Sequence, residues 1–140
     1  MEMLIGTDQD KIGQMAADWV KQLNGNVLCA PYSVIVWAKD GKPVDLALFH
    51  TYIGSSIELH LHAPGGLTRR MLRGIYNYVF EQLKCNVMIG KPKRDNIKLL
   101  KILTRMQFKY LATIPMYYGP TRDQDAVLHY TTKDKFSRWK

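Results

Sequence analysis

Acidic residues are scarce in this chain of 140: 12 aspartates and glutamates stand against 20 lysines and arginines, a formal net charge of +8 at pH 7. Cysteine is scarcer still, at two. Cys29 and Cys85 have no metal-ligand spacing, and they read as reduced, buried thiols rather than a bridge. No apolar run approaches the roughly 20 residues of a membrane-spanning helix. The opening stretch MEMLIGTDQD lacks a basic segment followed by an apolar one, so no secretory leader is read there and the expected location is the cytoplasm, with no membrane partner. Repeats, low-complexity linkers and breaks in composition are all missing. Residues 1–140 therefore read as one domain around one core, with a short basic tail over about 133–140.

What is present begins with that positive charge. It favours anionic partners such as nucleic acid, a phosphorylated cofactor or an acidic protein surface, and it is equally compatible with a merely solvated basic surface.

Hydrophobic spacing sets the elements. TDQDKIGQMAADWVKQL predicts a helix capped by Thr7 or Asp8, with Ile12, Met15, Ala16, Trp19, Val20 and Leu23 on one face. NGN then stops it. YSVIVWAK and VDLALFHTYI predict two strands joined by a turn at DGKP. IELHLH alternates strictly, with Ile57, Leu59 and Leu61 on one side and Glu58, His60 and His62 on the other. A long helix follows, with a stripe of Leu67, Met71, Ile75, Val79 and Leu83 widened by Leu72 and Phe80. NVMIG predicts a short strand, KPKRDN a loop, and NIKLLKILTRM a helix capped by Asn96 that buries Leu99, Leu100, Leu103 and Met106. KYLATIPMYYG and DAVLHYTTK predict a final hairpin around PTRDQ. A helix lies between IELHLH and NVMIG, so those two strands are expected to be parallel in an otherwise antiparallel sheet. The fold class is mixed α/β (α+β), with about six strands flanked by helices.

The stretch ELHLHAPGGLTRRMLRG joins a strand, through Ala63-Pro64-Gly65-Gly66, to a helix carrying Arg69, Arg70 and Arg73. A helix start offers unpaired backbone N–H groups and partial positive charge, and glycines let a ligand approach the backbone closely. Such a junction suits a phosphate; the plainer reading is a tight corner beside a solvated face.

From these residues and the order of elements, the chain resembles the GNAT (Gcn5-related N-acetyltransferase) superfamily over nearly its whole length. The family's Arg/Gln-x-x-Gly-x-Gly/Ala loop, which holds the pyrophosphate of acetyl-CoA, falls on Ala63 to Thr68. Gly66 is kept, while Ala63 and Thr68 depart from the pattern. A second family stretch falls on Asn96, Leu99, Leu103, Arg105 and Gln107-Phe108, with Leu103 where the family often has a tyrosine that protonates the CoA thiolate. The run YVFEQLKC is similar to small bacterial and phage members. The resemblance implies a GNAT acyl-CoA N-acyltransferase fold and acetyl-CoA as co-substrate. Gly65, Gly66, Leu67, Thr68, Arg69, Arg70, Lys91 and Asn96 would line the cofactor. The backbone of Leu59 and Leu61, on a strand splayed from its neighbour, would meet the thioester and pantetheine. It also implies acetyl transfer to an amine of an unidentified small molecule or protein, and a homodimer is common in the family.

Such transfer needs a base, a site for the oxyanion and a proton for the leaving thiolate. Glu58 is the candidate base, with His60 and His62 as a relay and His50 nearby. Tyr117 is the candidate acid, with Tyr110 and Tyr118 as alternatives; in an extended strand only one of Tyr117 and Tyr118 would face inward. The structural alternative is an exposed sheet face where Glu and His pair across strands. Glu58-x-His60-x-His62 also has metal-compatible spacing, but no further ligand completes a site and none is assigned. Two rival functions remain open at this level. One is an inactive GNAT-fold phage protein that binds a host or virion protein. The other is a nucleic-acid binder using KPKRDNIKLLK and KDKFSRWK.

Overall fold

The computed structural model describes residues 1–25 and 27–140; Asn26, the last residue of the NGN stop signal, lies outside the described residues. The chain divides into two compact units, Met1–Thr51 with Leu61–Gly65, and Tyr52–His60 with Gly66–Lys140.

The first unit contains β1 (Glu2–Thr7), α1 (Lys11–Asn24), β2 (Tyr32–Lys39) and β3 (Lys42–His50). β1 is the strand that spacing alone does not announce, and with it the described residues form seven strands. It exists because β2 supplies a partner along its whole length, from Glu2↔Ala38 to Thr7↔Ser33. The β2–β3 turn is the expected one: Asp40 and Gly41 both take positive φ, 53° and 77°, the geometry that matches strand twist in a two-residue hairpin.

Asp10, not Thr7 or Asp8, caps α1. Its carboxylate accepts from the N–H of Gly13 at 2.9 Å and of Thr7 at 2.9 Å, and those N–H groups hold its pKa below the usual carboxylate value. The helix start lies so close to β1 that a Cβ at Gly13 would overlap the Thr7 carbonyl. Ala16 and Val20 of α1 bury against Val34, Val36, Leu46 and Leu48. Leu23, expected inward, is exposed in the last turn, past this cluster, and Cys29, expected to be buried like Cys85, is exposed.

The second unit holds most of β4 (Ser56–His62), then α2 (Arg69–Tyr76), β5 (Val87–Gly90), α3 (Ile97–Arg105), β6 (Lys109–Ile114), β7 (Ala126–Thr132) and α4 (Lys133–Phe136). β4 and β5 are parallel, as the intervening helix requires. β7 pairs antiparallel with both β5 and β6.

α2 runs directly into a π-helical segment, Asn77–Gln82, with Leu83 N–H donating to the Tyr78 carbonyl at 2.9 Å. The wider turn buries Tyr78, Val79 and Phe80 in succession. A stripe drawn at 3.6 residues per turn captures only the last two of these.

Asn96 caps α3 as expected, accepting from Leu99 N–H at 3.2 Å. The helix ends in a Schellman arrangement. Phe108 N–H donates to the Leu103 carbonyl and Gln107 N–H to the Thr104 carbonyl, with Gln107 at φ 76°. Glycine normally fills that left-handed position because it has no Cβ to clash. Gln107→Gly is therefore expected to stabilise the protein by about 1 kcal/mol, read as a higher denaturation midpoint with an unchanged slope.

The basic segment 133–140 is folded. Phe136 is fully buried and sits among three rings: Tyr76, nearly parallel at 6.5 Å between centroids, Phe80 at 5.8 Å and Phe108 at 6.4 Å. Trp139 Nε1 donates to the Met106 carbonyl at 3.1 Å.

Candidate active site

β4 and β5 are paired from Ser56↔Val87 to Leu59↔Gly90, where the ladder stops although β4 continues to His62. Glu58 lies one residue before that parting. In a parallel pair, partnered residues share a face and every second residue returns to it. Glu58 is opposite Ile89, so Lys91, two residues on, comes up on the same side. The Lys91 ammonium forms an ion pair with the Glu58 carboxylate, and Glu58 is 7% exposed. Burial alone would lower the Lys91 pKa, but the hydrogen bond and charge of Glu58, with a smaller contribution from Tyr117, outweigh it and raise the value.

Two tyrosines complete the cluster. β6 ends at Ile114, so Tyr117 and Tyr118 are not consecutive residues of an extended strand, and the alternation expected of a strand does not apply to them. They lie in a turn pinned by the fully buried Asp125, which accepts from Met116 N–H at 2.7 Å, Arg122 Nε at 3.1 Å and Arg94 at 3.3 Å. Those partners, the Met116 N–H foremost, hold the Asp125 carboxyl below its ordinary pKa. The Tyr117 ring lies 5.6 Å from Lys91 Nζ, the Tyr118 hydroxyl donates to the Lys91 carbonyl, and the two rings meet edge to face at 4.9 Å. Lys93 Nζ stands 6.0 Å from the Tyr118 ring. Burial, reinforced by the charges of Tyr117 and Glu58, pushes Tyr118 up to about 12. Such a phenol is a weaker acid than an ordinary tyrosine; Tyr117 is about half exposed.

The remaining candidates are dispersed. His60 is half-buried on β4. His62 meets the Trp19 ring edge-on at 5.4 Å, and His50 Nδ1 lies 2.7 Å from Thr51 Oγ1. Tyr110 is exposed, with its hydroxyl on Thr113. Among the described residues, no group of three His, Cys, Asp or Glu side chains is placed to hold a metal.

At the strand-to-helix junction, Gly66 has φ 81° and open space around any added Cβ, and Gly65 is equally open. Thr68 is the N-cap of α2, its Oγ1 accepting from Met71 N–H at 3.2 Å. Leu67 is half-buried and Arg70 exposed in the first turn. Arg69 turns toward the C-terminal segment, donating to the Arg138 carbonyl at 3.1 Å and lying 5.8 Å over the Trp139 ring. Leu103 is core: a Cβ at Gly90 would lie 3.3 Å from its Cδ1. The Glu58–Lys91 pair and the roles of Tyr118 and Asp125 went unread in the sequence. The strand register that brings Glu58 and Lys91 together was the signal that could have found their pair.

No family description and no curated protein matches the sequence. Solved structures do match the fold. The spermidine/spermine N-acetyltransferase SpeG from Vibrio cholerae aligns over 98% of both chains with a TM-score of 0.73 at 14% identity. The N-acetyltransferase PseH from Campylobacter jejuni, in complex with acetyl coenzyme A, aligns over 94% of this chain and 99% of its own at TM-score 0.60 and 16% identity. The third, yncA from Salmonella typhimurium with its cofactor acetyl-CoA, covers 90% of this chain and 75% of its own at TM-score 0.61 and 19% identity. The chain therefore has the fold of the Gcn5-related N-acetyltransferases, a mixed and mostly antiparallel arrangement of seven strands with flanking helices.

Proposed function

We propose that this protein is an acetyl-CoA-dependent N-acetyltransferase acting on an amine. The observation that carries the reading is the parting of β4 from β5 one residue beyond the buried Glu58, in a fold that two of the matched proteins use with acetyl-CoA bound. The backbone of Leu59 would hold the thioester where the ladder ends. The open turn at Gly66, the first N–H groups of α2 and Arg70 would meet the pyrophosphate.

In the reaction, the acceptor nitrogen attacks the acetyl carbonyl carbon. The C–S bond breaks as the C–N bond forms, the amine proton passes to Glu58, and the CoA thiolate takes a proton from Tyr117. The charge of the second unit favours the cofactor, since it carries sixteen of the 20 lysines and arginines but six of the 12 acidic residues. Clustered positive charge raises the local concentration of a polyanion such as CoA.

Calorimetric titration with acetyl-CoA tests the reading, with desulfo-CoA and ATP as controls. Micromolar binding confined to the CoA forms is expected. No binding would overturn the proposal and turn the search to a protein or nucleic-acid partner. Gly66→Asp should weaken that binding by repulsion at the pyrophosphate while the protein stays folded.

A further inference from the structure

We infer that Lys91 is a positioning residue for Glu58, not a ligand of the cofactor phosphates. The inference rests on the acetyltransferase reading and assigns a part within that site. Parallel pairing brings Lys91 onto the face of Glu58, and its ammonium is ion-paired with that buried carboxylate. The lysine is held at both ends: its carbonyl accepts from the Tyr118 hydroxyl, and its Nζ lies over the Tyr117 ring. A side chain fixed in this way is turned to the carboxylate and is not extended toward a phosphate.

A buried carboxylate without a counter-charge is driven toward its neutral form, and a protonated Glu58 cannot accept the proton of an acceptor amine. Lys91 therefore keeps the base ionised and aims it. Groups near this carboxylate include Tyr117 and Tyr118 from the turn after β6, Lys93 beyond Tyr118, and His60, two residues along β4 and so on the same face. Neither Tyr117 nor Tyr118 brings a positive charge, Lys93 lies over the Tyr118 ring, and the Lys91 ammonium is ion-paired directly with the carboxylate.

The test compares Lys91→Met and Lys91→Arg with the unsubstituted protein. Titration of the Glu58 side-chain carboxyl is followed by NMR in each, and CoA affinity is measured by calorimetry. In Lys91→Met the carboxyl should titrate about 1–3 pH units higher, and the acidic limb of kcat/KM should move up with it. CoA affinity should stay within about twofold. Lys91→Arg keeps the cation and should restore the original titration. A merely structural lysine would lower stability without moving the carboxyl, and that outcome overturns the inference. Loss of CoA affinity in Lys91→Met with the carboxyl unmoved would also overturn it, making Lys91 a phosphate ligand. If the carboxyl moves as expected while the unsubstituted protein neither binds acetyl-CoA nor transfers acetyl, the pairing stands and the acetyltransferase reading is what fails.

Discussion

Replacing Phe136 by alanine is expected to destabilise the protein by about 3–5 kcal/mol, the range for emptying a buried aromatic site. The ring is fully buried and is enclosed by Tyr76, Phe80 and Phe108. Tyr76 and Phe80 belong to the α2/π-helical rod, and Phe108 follows α3, so the cavity would open between elements that cannot collapse far without losing their own hydrogen bonds. Lys135→Ala, one residue away and exposed, should change stability by less than about 0.5 kcal/mol. Urea denaturation of both variants separates these effects. A loss below about 1 kcal/mol in the phenylalanine variant would mean that the C-terminal segment contributes little to the core.

The second large effect concerns Glu58. Glu58→Gln should slow acetyl transfer by roughly 10²–10⁴-fold, the usual contribution of a positioned base, while acetyl-CoA affinity stays near that of the unsubstituted protein. The split follows from geometry: Glu58 faces Lys91 and the tyrosine turn, whereas the proposed pyrophosphate contacts lie at Gly66 and the start of α2. Because the amide leaves Lys91 without its counter-charge, some stability should also be lost, so activity is compared at a temperature where both proteins are folded. Full activity across the pH range would remove Glu58 as the base.

Some of the fold follows from local pattern. The apolar spacing of α1 and α3, the Asp40-Gly41 hairpin and the Asn96 cap each express a preference that a few neighbouring residues decide among themselves. The parallel pairing of β4 and β5 also follows from the helix between them, since a crossover of that length returns the chain in the same direction. The Ala63–Thr68 junction could be placed as a helix entry on the same grounds, and Thr68 proves to be its cap.

Other features needed partners far along the chain. MEMLIGT has no alternation that declares it a strand, and β2 makes one of Glu2–Thr7 by pairing with each of those residues. Gln107 occupies a left-handed position that glycine would normally mark, so the helix stop there is visible only in the backbone. KDKFSRWK looks like a solvated tail until Phe136 meets three rings brought from elsewhere. The candidate site depends on distance most of all. The sequence offered Glu58 as a base and Tyr117 or Tyr118 as an acid, and the family resemblance put Lys91 at the cofactor; the amino-acid sequence alone determined that a carboxylate would stand on an alternating strand before a glycine-rich helix entry. Only the tertiary structure decided that this carboxylate is buried and paired with Lys91. Strand register is fixed by burial of whole faces and not by any local preference, and the tyrosine turn takes its position from Asp125, which is itself held by Arg94 and Arg122.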